Sequence, residues 1–165
     1  LLERLQVSDQ PQFREDVWTA VEQRVHLFQP YQGVLELLAE LRTTGCGLAV
    51  VTNSRRSHVE PALKRWEASH LFDTLVSIED VSYGKPDPEA IHKALNTLHV
   101  SPVDAFMIGD SPADLLAGSR ALVRTVAFSP EQNRAFFPAE LLLSHAPNHT
   151  TGSYSELRSL LLENV

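Results

Sequence analysis

Leu48-Ala49-Val50-Val51 runs straight into Thr52-Asn53-Ser54, and that junction decides the fold. A short apolar run bounded by polar residues is the pattern of a strand buried on both faces, as the strands of a parallel sheet are. The abrupt change sets a hydroxyl and an amide at the strand's carboxyl end. Upstream, Val34, Leu37, Leu38 and Leu41 keep the spacing of an amphipathic helix, between the Pro30-Tyr31-Gln32-Gly33 break and the Thr43-Thr44-Gly45 cluster. Residues 1–30 read as helical, with Phe13, Val17, Val21 and Val25 on one stripe. Downstream, Val59, Leu63 and Trp66 mark a helix whose start Pro61 obscures, and Thr74-Leu75-Val76-Ser77-Ile78 is the next strand.

The alternation continues to the end of the chain. Asp87-Pro88-Glu89 offers an N-cap, a proline at the first helical position and an early acid, ahead of Ile91, Ala94, Leu95 and Leu98. Ala105-Phe106-Met107-Ile108 is a further buried strand, Ser111-Pro112 opens a helix, and Arg124-Thr125-Val126-Ala127-Phe128 is a strand again. Residues 129–152 show no period and read as a loop with at most one helical turn. Ser153 and Glu156 then form a capping box before Leu157, Leu160 and Leu161. Strands alternating with helices predict an α/β fold with a doubly wound parallel sheet. In such sheets ligands sit beyond the carboxyl ends of the strands.

Composition narrows the function classes. The 165 residues, 43% of them hydrophobic, suffice for one domain with a sizeable core. Lys and Arg number 14 against 21 Asp and Glu, a formal net charge of −7, so no cationic footprint for nucleic acid is present. A single cysteine, Cys46, excludes an intrachain disulfide framework, and a reducing cytoplasm is the default location. No apolar run approaches the roughly 20 residues of a membrane span. The seven histidines lack the spacing of a metal-ligand pair on one helix. Trp18 and Trp66 fit apolar helix faces, and Cys46 reads as a small core residue. Arg55 and Arg56 either draw anions to the mouth of a site or are a solvated pair.

The strand ends carry Thr52-Asn53, Gly84-Lys85-Pro86 and Gly109-Asp110-Ser111-Pro112-Ala113-Asp114. Taken singly these are a turn, a solvated lysine and a capped helix start. Their common placement is what points to a site. A hydroxyl, an ammonium and two carboxylates suit phosphoryl chemistry: the hydroxyl holds phosphate oxygens, the lysine neutralises charge and a carboxylate holds Mg2+.

Val50-Val51-Thr52-Asn53-Ser54, Tyr83-Gly84-Lys85-Pro86-Asp87-Pro88-Glu89 and Met107-Ile108-Gly109-Asp110-Ser111-Pro112-Ala113-Asp114 resemble the second, third and fourth motifs of the haloacid dehalogenase-like hydrolase superfamily. The match is to its phosphoglycolate phosphatase-like branch. Pro30-Tyr31-Gln32-Gly33-Val34-Leu35-Glu36-Leu37-Leu38 is similar to the stretch where that branch returns from a helical cap to its core. The resemblance runs from about residue 10 to the end. It implies a Rossmann-like core over residues 29–165, a remnant of an α-helical cap over residues 1–28, and a central first strand that is missing.

It also implies roles. Thr52 would hydrogen-bond the transferred phosphoryl group, Asn53 would help orient it, and Lys85 would pair its oxygens and the nucleophile. Asp110 would ligate Mg2+, with Asp114 supporting the metal shell. The implied activity is that of a Mg2+-dependent phosphatase acting on a small phosphorylated metabolite through an aspartyl phosphate. The family's nucleophile opens an Asp-x-Asp pattern on an earlier strand, and this sequence contains no Asp-x-Asp. Together with Leu at position 1, this leads to the expectation of a nucleophile on a preceding segment. The chain alone is then expected to be inactive and poorly stable, because residues 48–51 and 105–108 lose the strand between them. Two alternatives stay open: a non-catalytic phosphate-binding or interaction domain, and a haloacid dehalogenase, against which Gly109-Asp110 argues because that chemistry needs no cation. The substrate and the oligomeric state are not legible.

Overall fold

The computed structural model describes residues 11–135 and 137–164, with side chains from residue 15 onward; residues 1–10, part of the predicted cap remnant, lie outside them. Five short strands are present among the described residues: β1 (Ala49–Val51), β2 (Thr74–Val76), β3 (Phe106–Gly109), β4 (Arg124–Phe128) and β5 (His149–Thr151). The helices are α1 (Pro11–Glu22), α2 (Val34–Thr43), α3 (Arg56–Arg65), α4 (Glu89–Leu98), α5 (Pro112–Arg120), α6 (Ala139–Leu143) and α7 (Tyr154–Leu162). Every strand pairing is parallel, with Ala49 opposite Thr74, Phe106 opposite Arg124 and Val126 opposite His149.

Helices cover both faces. On one, Leu37 and Leu41 of α2 and Leu157 and Leu161 of α7 pack on Val126 and Phe128. On the other, Ile91 and Leu95 of α4 meet Ala117 of α5 and Ala121 just after it, with Val51 and Met107 against them. This is the doubly wound α/β arrangement the apolar runs predict. Each run is continuous because both of its faces are covered.

Several local readings are corrected. Residues 129–152 hold the short α6, in keeping with the single helical turn expected there, and also β5, which the loop reading did not include. Neither has a periodicity to detect: α6 is five residues long, and β5, His149-Thr150-Thr151, is short and polar, with only Thr151 buried. The second strand stops at Val76, where Ser77 and Asp80 form a capping box around a 3-10 turn. The fourth helix starts at Glu89, whose N–H donates to Asp87 Oδ1 at 2.9 Å, so Asp87 caps from one residue further out. Pro61 lies inside α3 without ending it. In α7, Ser153 accepts the Glu156 N–H, but the Glu156 carboxylate takes the Thr151 hydroxyl at 2.6 Å, so the capping box is half formed. Val17, on the predicted apolar stripe, is exposed, whereas Trp18 stacks on buried His58 with ring centroids 5.3 Å apart.

The strands form two sheets, β1–β2 and β3–β4–β5, not one. In a strand the N–H and C=O of one residue point to the same side, and sides alternate. Leu48 C=O accepts from Asp73 N–H (2.8 Å) and Thr52 N–H donates to Val76 C=O (2.9 Å), so the backbones of Ala49 and Val51 face away from β2. Arg124 N–H donates to Ala105 C=O at 3.0 Å, so the backbones of Phe106 and Ile108 face away from β4. Between these two edges lies an apolar slot of about 680 Å3, walled by Leu37, Leu41 and Leu157 on one side and Ile91 and Leu95 on the other. Among the described residues these two inner edges make no backbone pairing. Residues 48–51 and 105–108 therefore stand in separate sheets. Hydrogen exchange on the 165-residue chain is expected to show alternation, with the amides of Val50 and Met107 exchanging about tenfold or more slower than those of Val51 and Ile108; equal protection along each strand would mean the slot is closed.

Candidate active site

The loops after β1, β2 and β3 meet at one end of the sheets. Thr52 closes β1; its side-chain oxygen accepts the Ser54 N–H at 3.0 Å, which folds the turn and leaves its own proton without an acceptor among the described residues. Asn53 clasps the 84–86 loop from both sides. Its Oδ1 accepts the Lys85 N–H at 2.7 Å, and its Nδ2 donates to the Lys85 carbonyl, also at 2.7 Å. Gly84 is required for this close approach: a Cβ there would stand 2.4 Å from Ile78 Cδ1 and 2.7 Å from Asn53 Oδ1. The Asn53 amide is therefore committed to placing Lys85.

Lys85 is not a solvated lysine. Its ammonium donates to the Val51 carbonyl at 2.7 Å and pairs with Asp114 Oδ1 at 2.6 Å, the two side chains being 10% and 9% exposed. Asp114 occupies the first turn of α5, and its Oδ2 accepts from Ser111 Oγ (2.7 Å) and Ser111 N–H (3.1 Å). One carboxylate thus caps the helix and holds the lysine. Gly109 makes room for it, since a Cβ at that position would sit 2.2 Å from Asp114 Cβ.

Asp110 differs from its neighbour. Its Oδ2 accepts from Asn133 Nδ2 at 2.7 Å, and Asn133 Oδ1 accepts from the Tyr31 hydroxyl. Burial, and then the charge of Asp114, push its carboxyl above the ordinary aspartate range, against a weaker pull from its own backbone N–H and from Lys85. Asn133 and Tyr31 are the residues sequence reasoning did not single out for the site. Asn133 lies in the stretch without a period, 23 residues from Asp110, and Tyr31 is 102 residues from Asn133. No local pattern marks such a contact.

Among the described residues no three His, Cys, Asp or Glu side chains form a metal cluster. Mg2+ is commonly held by one or two carboxylates, with water and substrate phosphate completing the shell. A half-buried carboxylate whose charge is disfavoured fits that donor set, and Asp110 is the better placed of the pair because Asp114 is already matched by Lys85. Arg56, its side chain partly exposed, binds Asp80 Oδ2 (2.7 Å), the Leu75 carbonyl (3.1 Å) and Glu60 (3.1 Å). Arg55 pairs with Glu15 at 2.6 Å and lies 5.4 Å from the Trp18 ring centroid. Burial pushes the Cys46 thiol up, as suits an unreactive cysteine.

Removing one partner of the Lys85–Asp114 pair leaves the other as a buried charge. Lys85→Met is expected to destabilise the chain by about 3 kcal/mol. The Lys85→Met, Asp114→Leu double variant should recover a large part of the loss. Urea unfolding of the four proteins of the cycle measures the coupling; strictly additive losses would show that the pair carries none.

With this geometry in place, comparison with known proteins is direct. The family model described as haloacid dehalogenase-like hydrolase matches residues 1–128. The chain is 34% identical over 136 residues to the pyrophosphatase PpaX of Bacillus mycoides, covering 82% of this chain and 61% of that protein. It thus spans about three-fifths of that curated relative. Its fold is similar to that of a HAD-superfamily hydrolase, subfamily IA, variant 1, from Geobacter sulfurreducens, with a TM-score of 0.69, 26% identity, and coverage of 85% of this chain and 60% of that one. It is also similar to a mutant of CbbY from Rhodobacter sphaeroides, solved in complex with xylulose-(1,5)bisphosphate, with a TM-score of 0.65, 27% identity, and coverage of 76% of this chain and 55% of that one. The three strand-end motifs, the parallel α/β architecture and these likenesses agree: the chain belongs to the haloacid dehalogenase-like hydrolase family.

Proposed function

We propose that this chain forms the phosphate-handling side of a Mg2+-dependent phosphatase for small phosphorylated metabolites, with the nucleophilic aspartate on a segment that precedes residue 1 in the complete polypeptide. The observation that carries the proposal is the buried Lys85 ammonium, held between Val51 C=O and Asp114 at the mouth of the slot, beside the carboxylate of Asp110. An ammonium has three donors. Among the described residues two of these have partners, Val51 C=O and Asp114, and the third is left for an anion.

The slot supports the placement of the missing group. The slot, about 680 Å3, is lined along both residues 48–51 and residues 105–108 and has room for an extended segment between them. The occupant would be apolar throughout and parallel to both neighbours, so that it ends beside Thr52 and Asp110. A carboxylate there meets Lys85.

In this reading Thr52 donates its hydroxyl proton to a phosphoryl oxygen, and Lys85 offsets the charge of the phosphoryl group and of the attacking carboxylate. A carboxylate oxygen bonds to phosphorus as the bond to the ester oxygen breaks, and the leaving oxygen takes a proton. Water then cleaves the acyl phosphate, returning the carboxylate and releasing phosphate. Asp110, with Asp114 behind it, would hold the metal. When bound, Mg2+ lowers the repulsion between anionic nucleophile and phosphoryl oxygens. Asn53 acts by fixing Lys85. The substrate class follows the names of the relatives, one a pyrophosphatase and one solved with a sugar bisphosphate.

The test compares the 165-residue chain with the complete polypeptide on pyrophosphate, sugar phosphates and phosphoglycolate, with Mg2+ and with chelator. Turnover is expected only for the complete protein and only with metal, and Thr52→Ala is expected to lower its kcat by about a hundredfold. Turnover by the 165-residue chain alone, or chelator-resistant turnover, would overturn the proposal.

A further inference from the structure

Asp110 and Asp114 are chemically identical and four residues apart, yet the fold gives them opposite partners. Asp114 receives a cation. Asp110 receives a neutral amide, which satisfies one oxygen and supplies no countercharge. We infer that Asn133, oriented by Tyr31, is a positioning residue for Asp110: it pins Oδ2 and presents Oδ1 to a divalent cation. The inference rests on the reading of Asp110 as the Mg2+ ligand.

The orientation of the amide is determined by its neighbours. A carboxylate only accepts, so Asn133 must turn Nδ2 toward Asp110, and its Oδ1 is then left to accept from the Tyr31 hydroxyl. Tyr31 is itself fixed. Its ring makes an edge contact with Phe128 (centroids 6.2 Å) and a tilted one with Tyr154 (6.2 Å), and those two rings lie 4.7 Å apart. Phe128 is buried at the end of β4. The base of the Asn133 loop is tied as well: Ser129 N–H donates to Thr151 C=O (2.8 Å), Asn133 N–H to Pro130 C=O (2.9 Å) and Phe137 N–H to Asn133 C=O (3.1 Å). A line of fixed contacts therefore runs from the core beneath β4 to one oxygen of Asp110. Hydrogen-bonded supports of this kind behind metal ligands typically alter metal affinity by 10–100-fold when removed. A group serving only to hold the loop would change stability and leave that affinity alone.

The test is Mg2+ titration calorimetry on the complete polypeptide, with Mn2+ and its spin-resonance signal as a second probe, for the parent, Asn133→Ala and Tyr31→Phe. Tyr31→Phe keeps the ring packing and deletes only the donor, so it serves where Asn133→Ala folds poorly. The dissociation constant for Mg2+ is expected to rise about tenfold or more in Asn133→Ala and by a smaller factor in Tyr31→Phe, with the urea midpoint of Tyr31→Phe close to that of the parent. Affinities within twofold of the parent in both variants would overturn the positioning role while leaving the metal site standing. Absence of Mg2+ binding by the parent itself would overturn the metal reading of Asp110 and this inference with it.

Discussion

The ammonium of Lys85 joins two parts of the molecule that share no strand pairing. On one side it takes the carbonyl of Val51, the last residue of the β1–β2 sheet, and on the other it takes Asp114, at the start of the helix that leaves the β3–β4–β5 sheet. A lysine this buried is tolerated only when its charge and its donors are matched, because desolvation of an ammonium costs several kcal/mol. Everything around it serves that match. Asn53 fixes its backbone, Gly84 lets the loop come close, Ser111 turns Asp114, and Gly109 leaves Asp114 space. Arg120 adds a second strap over the same gap by donating to the Pro86 carbonyl at 2.8 Å. The three loops are held in register by polar contacts at one end of a sheet that is broken at its middle.

The break has a definite chemical character. Apart from Tyr154, the residues facing it from the helices on both sides are aliphatic, and the strand edges facing it offer backbone donors and acceptors. Water satisfies such an edge but gains nothing from the aliphatic walls. An extended apolar peptide satisfies both, which is the physical content of strand addition. The chain thus keeps apolar surface and backbone polarity in one place, and each of those raises the free energy of the folded state relative to a continuous sheet.

The order of strands and helices was legible because burial on both faces turns each central strand into a continuous apolar run, as in Leu48-Ala49-Val50-Val51. Edge elements lose that signal. His149-Thr150-Thr151 pairs on one side only and has two of its three residues exposed, so it resembles a loop in sequence while making a regular parallel pairing with β4. The same contrast holds for the site. Thr52, Asn53, Lys85, Asp110 and Asp114 stand at strand ends and inside short recognisable patterns. Asn133 has no pattern, since its role comes from where the loop after β4 happens to be anchored. For Arg55 and Arg56 the sequence leaves anion capture and a solvated pair open, and the structure pairs them with Glu15, Trp18, Asp80 and the Leu75 carbonyl.

Asp110 and Asp114 meet opposite surroundings in the fold. Asp114, buried and paired with Lys85, contributes to the fold through both its oxygens. Asp110, pressed upward by burial and by its neighbour's charge, is poorly compensated by the protein's own groups. Unmatched charge is retained where a ligand supplies the match, and perturbed carboxylates gather at functional sites for that reason. A cation at Asp110 would relieve the repulsion from Asp114 without competing with Lys85 for it. Two carboxylates four residues apart can then carry a lysine and a metal side by side, each holding the charge that the other does not.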